Sequence, residues 1–251
     1  MIDSVRNTVL ALLNKNNYGY LSPSDFNLYA KQAQLELFLG KFPEHNEQTF
    51  RENLRKLGSA ESGLKRKTEA EMNAFFEIKD LIHNSANKFF LPSLITTGDE
   101  LYRMEKVLCY TLSGGNKVFS GEAEEVSHSR ITTLLQSHHT APSVMFPAFV
   151  IEGASIAVYP TSFNAYRKVE GHYYRMPKAP KWTYKSLLNG EPMFDQTATD
   201  YQDFELGSDE ETNLVIKICQ YAGLEIRDAD VYKAAVRAEV ANKPADEQTQ
   251  L

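Results

Sequence analysis

Apolar residues recur at helical spacing near the amino end of the chain. One face of a helix that ends near residue 15 is formed by Val5, Val9, Leu12 and Leu13. The segment 22–25, Ser-Pro-Ser-Asp, then supplies an N-cap, a proline suited to the first turn and an acidic residue, so it predicts the start of a second helix. A third helix is predicted from about 44 to 57.

The pattern changes to short strand-like runs in the middle of the chain. Strands are predicted at 75–82, 88–91, 102–112, 145–150, 155–159 and 169–175, and a helix is predicted at 122–137. Turns are marked by residues 113–116 (SGGN) and by a tight hairpin at 152–154 (EGA). The last three strands are expected to form an antiparallel sheet.

Helical spacing returns near the carboxyl end. Ser208, followed three residues later by Glu211, is typical of a capping box, and the helix that it opens is expected to stop at Gly223. A last helix is predicted at 228–240. With strands grouped in the middle, the fold class is predicted to be α+β, with helices at both chain ends around a small central antiparallel sheet.

Two segments show no clear period. Residues 58–73 have two glycines and few apolar groups, which predicts a mobile linker. Residues 177–208 are rich in proline, glycine and aromatic side chains, which predicts an extended arm that docks on a partner. The predicted organisation is an N-terminal helical region (1–57), a mobile linker (58–73), a central α+β region (74–176), an extended arm (177–208), C-terminal helices (209–242) and a frayed tail (243–251).

Composition narrows the class of protein. The 251 residues are 42% hydrophobic and 24% charged, which is the profile of a globular protein with a sizeable core. The net charge of −6 disfavours a protein whose main role is to coat phosphates. The chain has no apolar stretch of the roughly 20 residues that cross a bilayer and no signal-peptide pattern, which favours neither membrane insertion nor secretion. Cys109 and Cys219 lie in apolar runs without CxxC spacing and are expected to be buried.

The sequence carries none of the common catalytic or nucleotide-binding motifs GxGxxG, GxxxxGK[ST], GxSxG and HExxH. The adjacent His138 and His139 would point about 100° apart on a helix, which does not make a metal pair. Paired carboxylates such as Glu124 and Glu125 lie in the predicted first turn of a helix, where negative charge is stabilising in itself. We therefore expect no catalytic residue, no metal site, no cofactor and no enzymatic activity.

Charge is segregated late in the chain. Residues 167–185 contain six bases and one acid, whereas residues 191–211 contain eight acids and no base. The two segments are either two solvated faces of a monomer or, in a cyclic assembly, the basic sheet of one subunit and the acidic arm of its neighbour.

Aromatic and proline residues interleave with these bases. Tyr, Trp and Arg dominate the hot spots of protein–protein interfaces, although basic segments with aromatic residues also bind single-stranded nucleic acid. We favour a protein-docking surface. The candidate interface residues are Arg167, Lys168, Tyr173, Tyr174, Arg175, Pro177, Lys178, Pro180, Lys181, Trp182, Tyr184, Asp200, Asp203 and Glu205.

Three stretches of the chain carry a family pattern. They are residues 2–38, which include YGYLSPSDFNLYAKQAQLELF, residues 140–161 followed by 173–184 (YYRMPKAPKWTY), and residues 203–232, which end in YAGLEIRDADVY. The run at 173–184 is the most specific of them. Together they resemble the neck proteins, also called head-to-tail connector or ring proteins, of tailed bacteriophages, particularly of crAss-like and related podovirus-type phages.

The resemblance implies a non-enzymatic virion protein, made in the host cytoplasm, that forms a twelve-fold homo-oligomeric ring in the neck between portal and tail. It also implies contacts with the portal and with other neck or tail proteins, and double-stranded DNA that passes through the lumen without sequence-specific binding. The acidic charge balance is compatible with such a channel, because like charge removes the counterion-release attraction that would hold phosphates.

Two other function classes stay open. The first is a nucleic-acid-binding accessory protein that uses residues 167–185, which predicts salt-dependent DNA binding. The second is a hydrolase whose site is assembled from dispersed residues, which requires a pocket with His and carboxylates within hydrogen-bond reach.

Overall fold

The structure, a computed structural model, describes residues 1–15, 21–55, 70–164, 167–187 and 190–225, with residue 237. The chain separates into two compact units. Unit 1 comprises Met1–Ala74 and Pro177–Leu251, and unit 2 comprises Phe75–Met176. Unit 2 is therefore an insertion in the sequence of unit 1.

The described helices and strands have the following bounds. The helices are α1 (Ile2–Lys15), α2 (Pro23–Arg55), α3 (His128–Gln136) and α4 (Glu211–Glu225), with a short 3-10 helix at Ser208–Glu210. The strands are β1 (Phe76–Asp80), β2 (His83–Ser85), β3 (Lys88–Phe90), β4 (Leu101–Ser113), β5 (Asn116–Glu125), β6 (Ala148–Glu152), β7 (Ser155–Tyr159), β8 (Arg167–Arg175), β9 (Tyr184–Ser186) and β10 (Pro192–Phe194).

Unit 2 is built on one large curled sheet of eight strands. Their spatial order is β1-β8-β4-β5-β6-β7-β3-β2, and neighbours are antiparallel except β5 and β6, which pair in parallel. Its core lies on one face and is formed by Leu81, Phe89, Val107, Cys109, Ala123, Phe149, Ile156, Val158, Phe163 and Val169. Helix α3 packs Ile131 against Ala148 and Val150 of β6 in a second, smaller cluster.

The predicted fold class is wrong, because the sheet is neither small nor purely antiparallel. The predicted strands at 145–150, 155–159 and 169–175 do not form one consecutive sheet, since β8 pairs with β1 and β4 and leaves β7 to pair with β3 and β6. The early strands of unit 2 insert between and beside the late ones, and these long-range pairings carry no local sequence signal.

The predicted helix at 122–137 is half wrong. Residues 122–125 continue β5, and the helix begins only after Ser127, whose side chain accepts a hydrogen bond from the Arg130 backbone N–H. Pairing with β4 holds the start of this segment in the strand, since Ala123 lies opposite Val107. Gly121 lets the loop at 145–147 pack closely, because a Cβ at this position would lie 2.4 Å from the backbone oxygen of Met145. The predicted turn at 113–116 is confirmed, with positive φ angles of 58° at Gly114 and 87° at Gly115.

Unit 1 packs α1 and α2 against α4. The core side of these helices is formed by Val5, Val9, Leu13, Phe26, Ala30, Ala33, Phe38, Leu214, Ile218 and Ala222. The second and third helices predicted in this region are one continuous helix, because α2 runs without a break through Gly40 and Pro43 to Arg55. The capping box at Ser208 is wrong as well, since the 3-10 helix follows Gly207 and has no side-chain cap.

Several predictions fall on residues that the structure does not describe. The linker predicted at 58–73 lies outside the described residues apart from 70–73, and the helix at 228–240 lies outside them apart from residue 237. The tail at 243–251 lies wholly outside them. Among the described helices, none is both long and apolar enough to cross a membrane.

Candidate interaction surfaces

The predicted extended docking arm packs on helices of its own unit. Trp182 is 1% exposed, and its indole Nε1 donates to Asp3 Oδ1 of α1 at 2.9 Å. The guanidinium of Arg6 lies 3.9 Å from the centre of the indole ring, on which Tyr184 and Phe194 also stack. The aromatic side chain at the centre of the arm is therefore part of the core of unit 1.

Two side-chain amides of α2 hold the backbone of the arm. Asn27 Oδ1 accepts from the Trp182 N–H at 2.8 Å, and Asn27 Nδ2 donates to the Trp182 carbonyl at 3.1 Å. Gln34 Nε2 donates to the Lys178 carbonyl at 2.8 Å, and Gln34 Oε1 accepts from the Glu205 N–H at 3.0 Å. Sequence reasoning missed both amides, although two amides seven residues apart on an apolar helix face are a signal for a bound backbone.

The opposite charges of the arm pair within the chain. Strands β9 and β10 form a hairpin in which Lys185 lies opposite Met193, so the basic and acidic limbs run side by side. Lys185 bonds Asp195 at 2.8 Å, and Lys181 bonds Asp200 at 2.5 Å. Hydrogen bonds from Lys185 and Thr197 lower the pKa of Asp195 to about 2.

Other predicted interface residues of the arm are also engaged inside unit 1. Asp203 accepts from the Met1 amino group at 3.1 Å and from the Ile2 N–H at 2.8 Å. Burial raises the pKa of Asp203, but these bonds outweigh it and leave the pKa below its ordinary value. Glu205 Oε2 accepts from the Lys178 N–H at 2.8 Å. Pro180 is buried and Pro177 is half-buried.

The predicted interface residues of β8 lie in unit 2 and divide between its two faces. Tyr173 is fully buried, and Arg175 is buried with an ion pair to Glu77 at 3.6 Å. Tyr174 is half-buried against Phe76, with ring centres 5.4 Å apart. Arg167 and Lys168 differ from Arg175, because neither forms an ion pair within the described part of the chain.

A network of polar side chains covers the opposite face of the sheet. Glu170 of β8 accepts from the Tyr110 hydroxyl at 3.2 Å and lies 3.1 Å from His172 Nε2. Lys117 of β5 bonds both Asp80, at 2.5 Å, and Glu170, at 3.4 Å. The network brings a histidine and a carboxylate together, but its members bond mainly to one another, which is the arrangement of a structural network that fixes a sheet face.

Three carboxylates of unit 1 approach one another. Ligand atoms of Glu71, Asp209 and Glu210 lie within 4.8 Å of each other. The Lys41 ammonium bonds Glu71 at 2.5 Å and Glu210 at 2.7 Å, so this cluster already has its own cation. Burial lowers the pKa of Lys41, but the bonds to Glu210 and Glu71 outweigh it and raise the pKa above its ordinary value.

Large apolar side chains are exposed at the end of the β4–β5 hairpin. Leu112, Val118 and Phe119 are 39%, 51% and 57% exposed. Phe119 lies opposite Tyr110, whereas Val118 lies opposite Thr111, so Phe119 and Leu112 share one face of the hairpin and Val118 is on the other. The loop at 145–147, with the exposed Met145 and Phe146, lies against Gly121, which is opposite the buried Cys109 on that other face. We call Leu112 and Phe119 the hairpin patch.

A second exposed set lies on the β9–β10 hairpin of unit 1. Tyr184, Leu187 and Met193 are about half exposed, and Glu191 lies between the last two in sequence. Glu191 is exposed and forms no ion pair among the residues described. Tyr184 lies opposite Phe194 and stacks on Trp182, so it is on the other face of the hairpin from Met193. We call Leu187, Glu191 and Met193 the arm patch.

Comparison with known proteins adds no relative to these observations. No protein-family model matches the chain, and no curated protein matches it at a significant level.

Proposed function

We propose that this protein is a non-enzymatic structural protein of a tailed-phage virion, which forms a homo-oligomeric ring in the neck between portal and tail. In this role it supports head-to-tail assembly, and double-stranded DNA passes through the lumen of the ring without sequence-specific binding. Its contacts are with copies of itself, with the portal and with neighbouring neck or tail proteins.

The observation that carries the proposal is the concentration of exposed large apolar side chains on the hairpin patch and the arm patch. Exposed apolar clusters with a polar surround mark surfaces that another protein covers. The sequence resemblance supplies the kind of assembly, and the net charge of −6 suits a channel that does not retain DNA.

The buried position of Trp182 changes how the docking would work. The arm cannot act as a free peptide that inserts into a partner, because its central ring and its backbone are bound to α1 and α2. The same burial leaves fewer aromatic rings for stacking on nucleic-acid bases, which weakens the support for an accessory protein that binds DNA through residues 167–185. Assembly would instead use the exposed side chains of the two hairpins.

Sedimentation velocity and negative-stain imaging of the purified full chain test this function, first alone and then with a portal protein. We expect closed rings in at least one of the two samples. A compact monomer in both samples, over the whole accessible concentration range, would contradict the proposal.

A further inference from the structure

We infer that the hairpin patch of one copy binds the arm patch of a second copy, in a head-to-tail contact that repeats from copy to copy. The inference rests on the proposed function, because it names the surfaces that join neighbouring subunits. It assigns Lys168 and Glu191 as the charged pair across the contact, with Phe119 as its apolar centre.

The hairpin patch combines apolar side chains with unpaired positive charge. In the register of the sheet, Lys168 lies opposite Tyr110, and Tyr110 lies opposite Phe119, so Lys168 and Phe119 share one face of the sheet. Lys168 is exposed and has no acidic partner in the described residues.

Arg167 is not part of this patch, because it lies opposite Thr111 and Val118 on the other face of the sheet. Its guanidinium lies 4.9 Å from the centre of the buried Phe163 ring. Lys168 is therefore the cation of β8 that shares a face with Phe119.

The arm patch has the complementary composition. Its exposed apolar side chains are Leu187 and Met193, and its charge is the carboxylate of Glu191. The neighbouring acids Asp195 and Asp200 are already neutralised by Lys185 and Lys181. Glu191 is therefore the acid of this hairpin that remains available to a cation on another molecule.

The two patches differ from each other, which decides the geometry of assembly. A patch that binds a copy of itself gives a two-fold dimer and stops there. A patch that binds a different patch leaves one of each free at the ends, so growth continues until the subunits close into a ring or extend as a filament. Two complementary, unlike patches on one chain are thus the minimum that a ring requires.

Three reversals of charge or polarity test the contact by sedimentation velocity. Phe119→Asp should weaken association at least tenfold, whereas Ile95→Asp, at a side chain that is 97% exposed in a loop of unit 2, should leave it unchanged. Lys168→Glu and Glu191→Lys should each weaken association at least tenfold, because each creates a pair of like charges in every contact. A mixture of these two variants should associate as the unchanged protein does, since every alternating contact then joins opposite charges. Circular dichroism of each variant verifies that it is folded.

The outcomes separate this inference from the proposed function. Rings of the unchanged protein that persist in all the variants would overturn the inference and leave the proposed function standing. A mixture of Lys168→Glu and Glu191→Lys that stays dissociated would overturn the charged pair. Filaments of the unchanged protein that follow the variant pattern would support the contact and contradict ring closure. A monomer at every concentration would overturn both.

Discussion

Replacing Trp182 with alanine should unfold unit 1 more readily, because the side chain is a core element of that unit. A tryptophan buries roughly 200 Å² on folding, which at about 25 cal/mol per Å² corresponds to about 5 kcal/mol as an upper value. The variant also loses the hydrogen bond from Nε1 to Asp3 and the stacking with Arg6, Tyr184 and Phe194. We expect a loss of about 4 kcal/mol in the free energy of unfolding, within the range for buried aromatic residues truncated to alanine.

Two further variants grade the effect. Trp182→Phe keeps an aromatic ring but loses the bond to Asp3, so we expect a smaller loss of about 1–2 kcal/mol. Tyr184→Ala is the matched control, because Tyr184 stacks on the same indole but is 48% exposed, and it should cost about 1 kcal/mol.

Urea unfolding followed by far-ultraviolet circular dichroism measures these losses. Since the chain has two compact units, each transition is fitted separately, and the loss should fall on one transition only. The chain has a single tryptophan, so fluorescence of the unchanged protein and of Tyr184→Ala identifies the transition of unit 1. The reasoning would be refuted if the free energy of unfolding of Trp182→Ala lay within about 1 kcal/mol of that of the unchanged protein while the variant failed to assemble. The indole of Trp182 would then contact a partner and would not be part of the core of unit 1.

Three other predictions follow from the packing and charges of the described residues. Gly121→Ala should destabilise unit 2 by roughly 1–3 kcal/mol, because its Cβ would lie 2.4 Å from the Met145 oxygen. Gly40→Ala in α2 should stabilise unit 1 by about 0.5–1 kcal/mol, because no atom lies within 4 Å of its Cβ. Urea unfolding of the two variants measures both changes. Burial raises the pKa of Cys109 to about 12 and that of Cys219 to about 11, so both thiols should resist a thiol reagent at pH 8 in the folded protein and react in urea; fast reaction of the folded protein would contradict their burial. Burial raises the pKa of Glu210, but hydrogen bonds from Asn213 and Lys41 outweigh it and hold the pKa below the ordinary 4.5. The stability that Glu210 contributes is therefore complete above pH 4.5 and is lost as pH falls through the lowered pKa. The melting temperature of Glu210→Gln should fall less steeply than that of the unchanged protein between pH 7 and pH 2, and an equally steep fall would contradict this.

Local signals in the sequence predicted some elements of the fold and missed its long-range pairings. The turn at Gly114 and Gly115 and the strand that became β7 are fixed by neighbouring residues, so their prediction succeeded. Residues 122–125 have the composition of a helix, yet pairing with β4 draws them into a strand, because Val107 and Cys109 lie opposite Ala123 and Gly121 and bury that face. A sheet partner far along the chain overrides local propensity.

The arm shows the same limit for the candidate site. Aromatic and proline residues in an aperiodic segment indicated docking, and the segment does dock, but on helices about 150 residues away in sequence. The basic segment followed by an acidic one indicated a hairpin within the chain, which the sequence interpretation did not consider. A turn near Gly190 places the two segments side by side and pairs Lys185 with Asp195. The exposed side chains of the hairpin patch had no sequence signal, since an apolar residue on a strand is ordinarily interior.

Cysteine cross-linking between copies tests most directly the central claim that unlike patches join neighbouring subunits. Leu112→Cys places a thiol in the hairpin patch and Met193→Cys places one in the arm patch, while the two native thiols are buried. With a short bifunctional maleimide, the chain that carries both substitutions should give a ladder of covalent oligomers that ends in one closed species, and neither single variant should be linked. Cross-linked dimers from a single variant, or no ladder from the double variant under conditions in which the protein associates, would contradict the account.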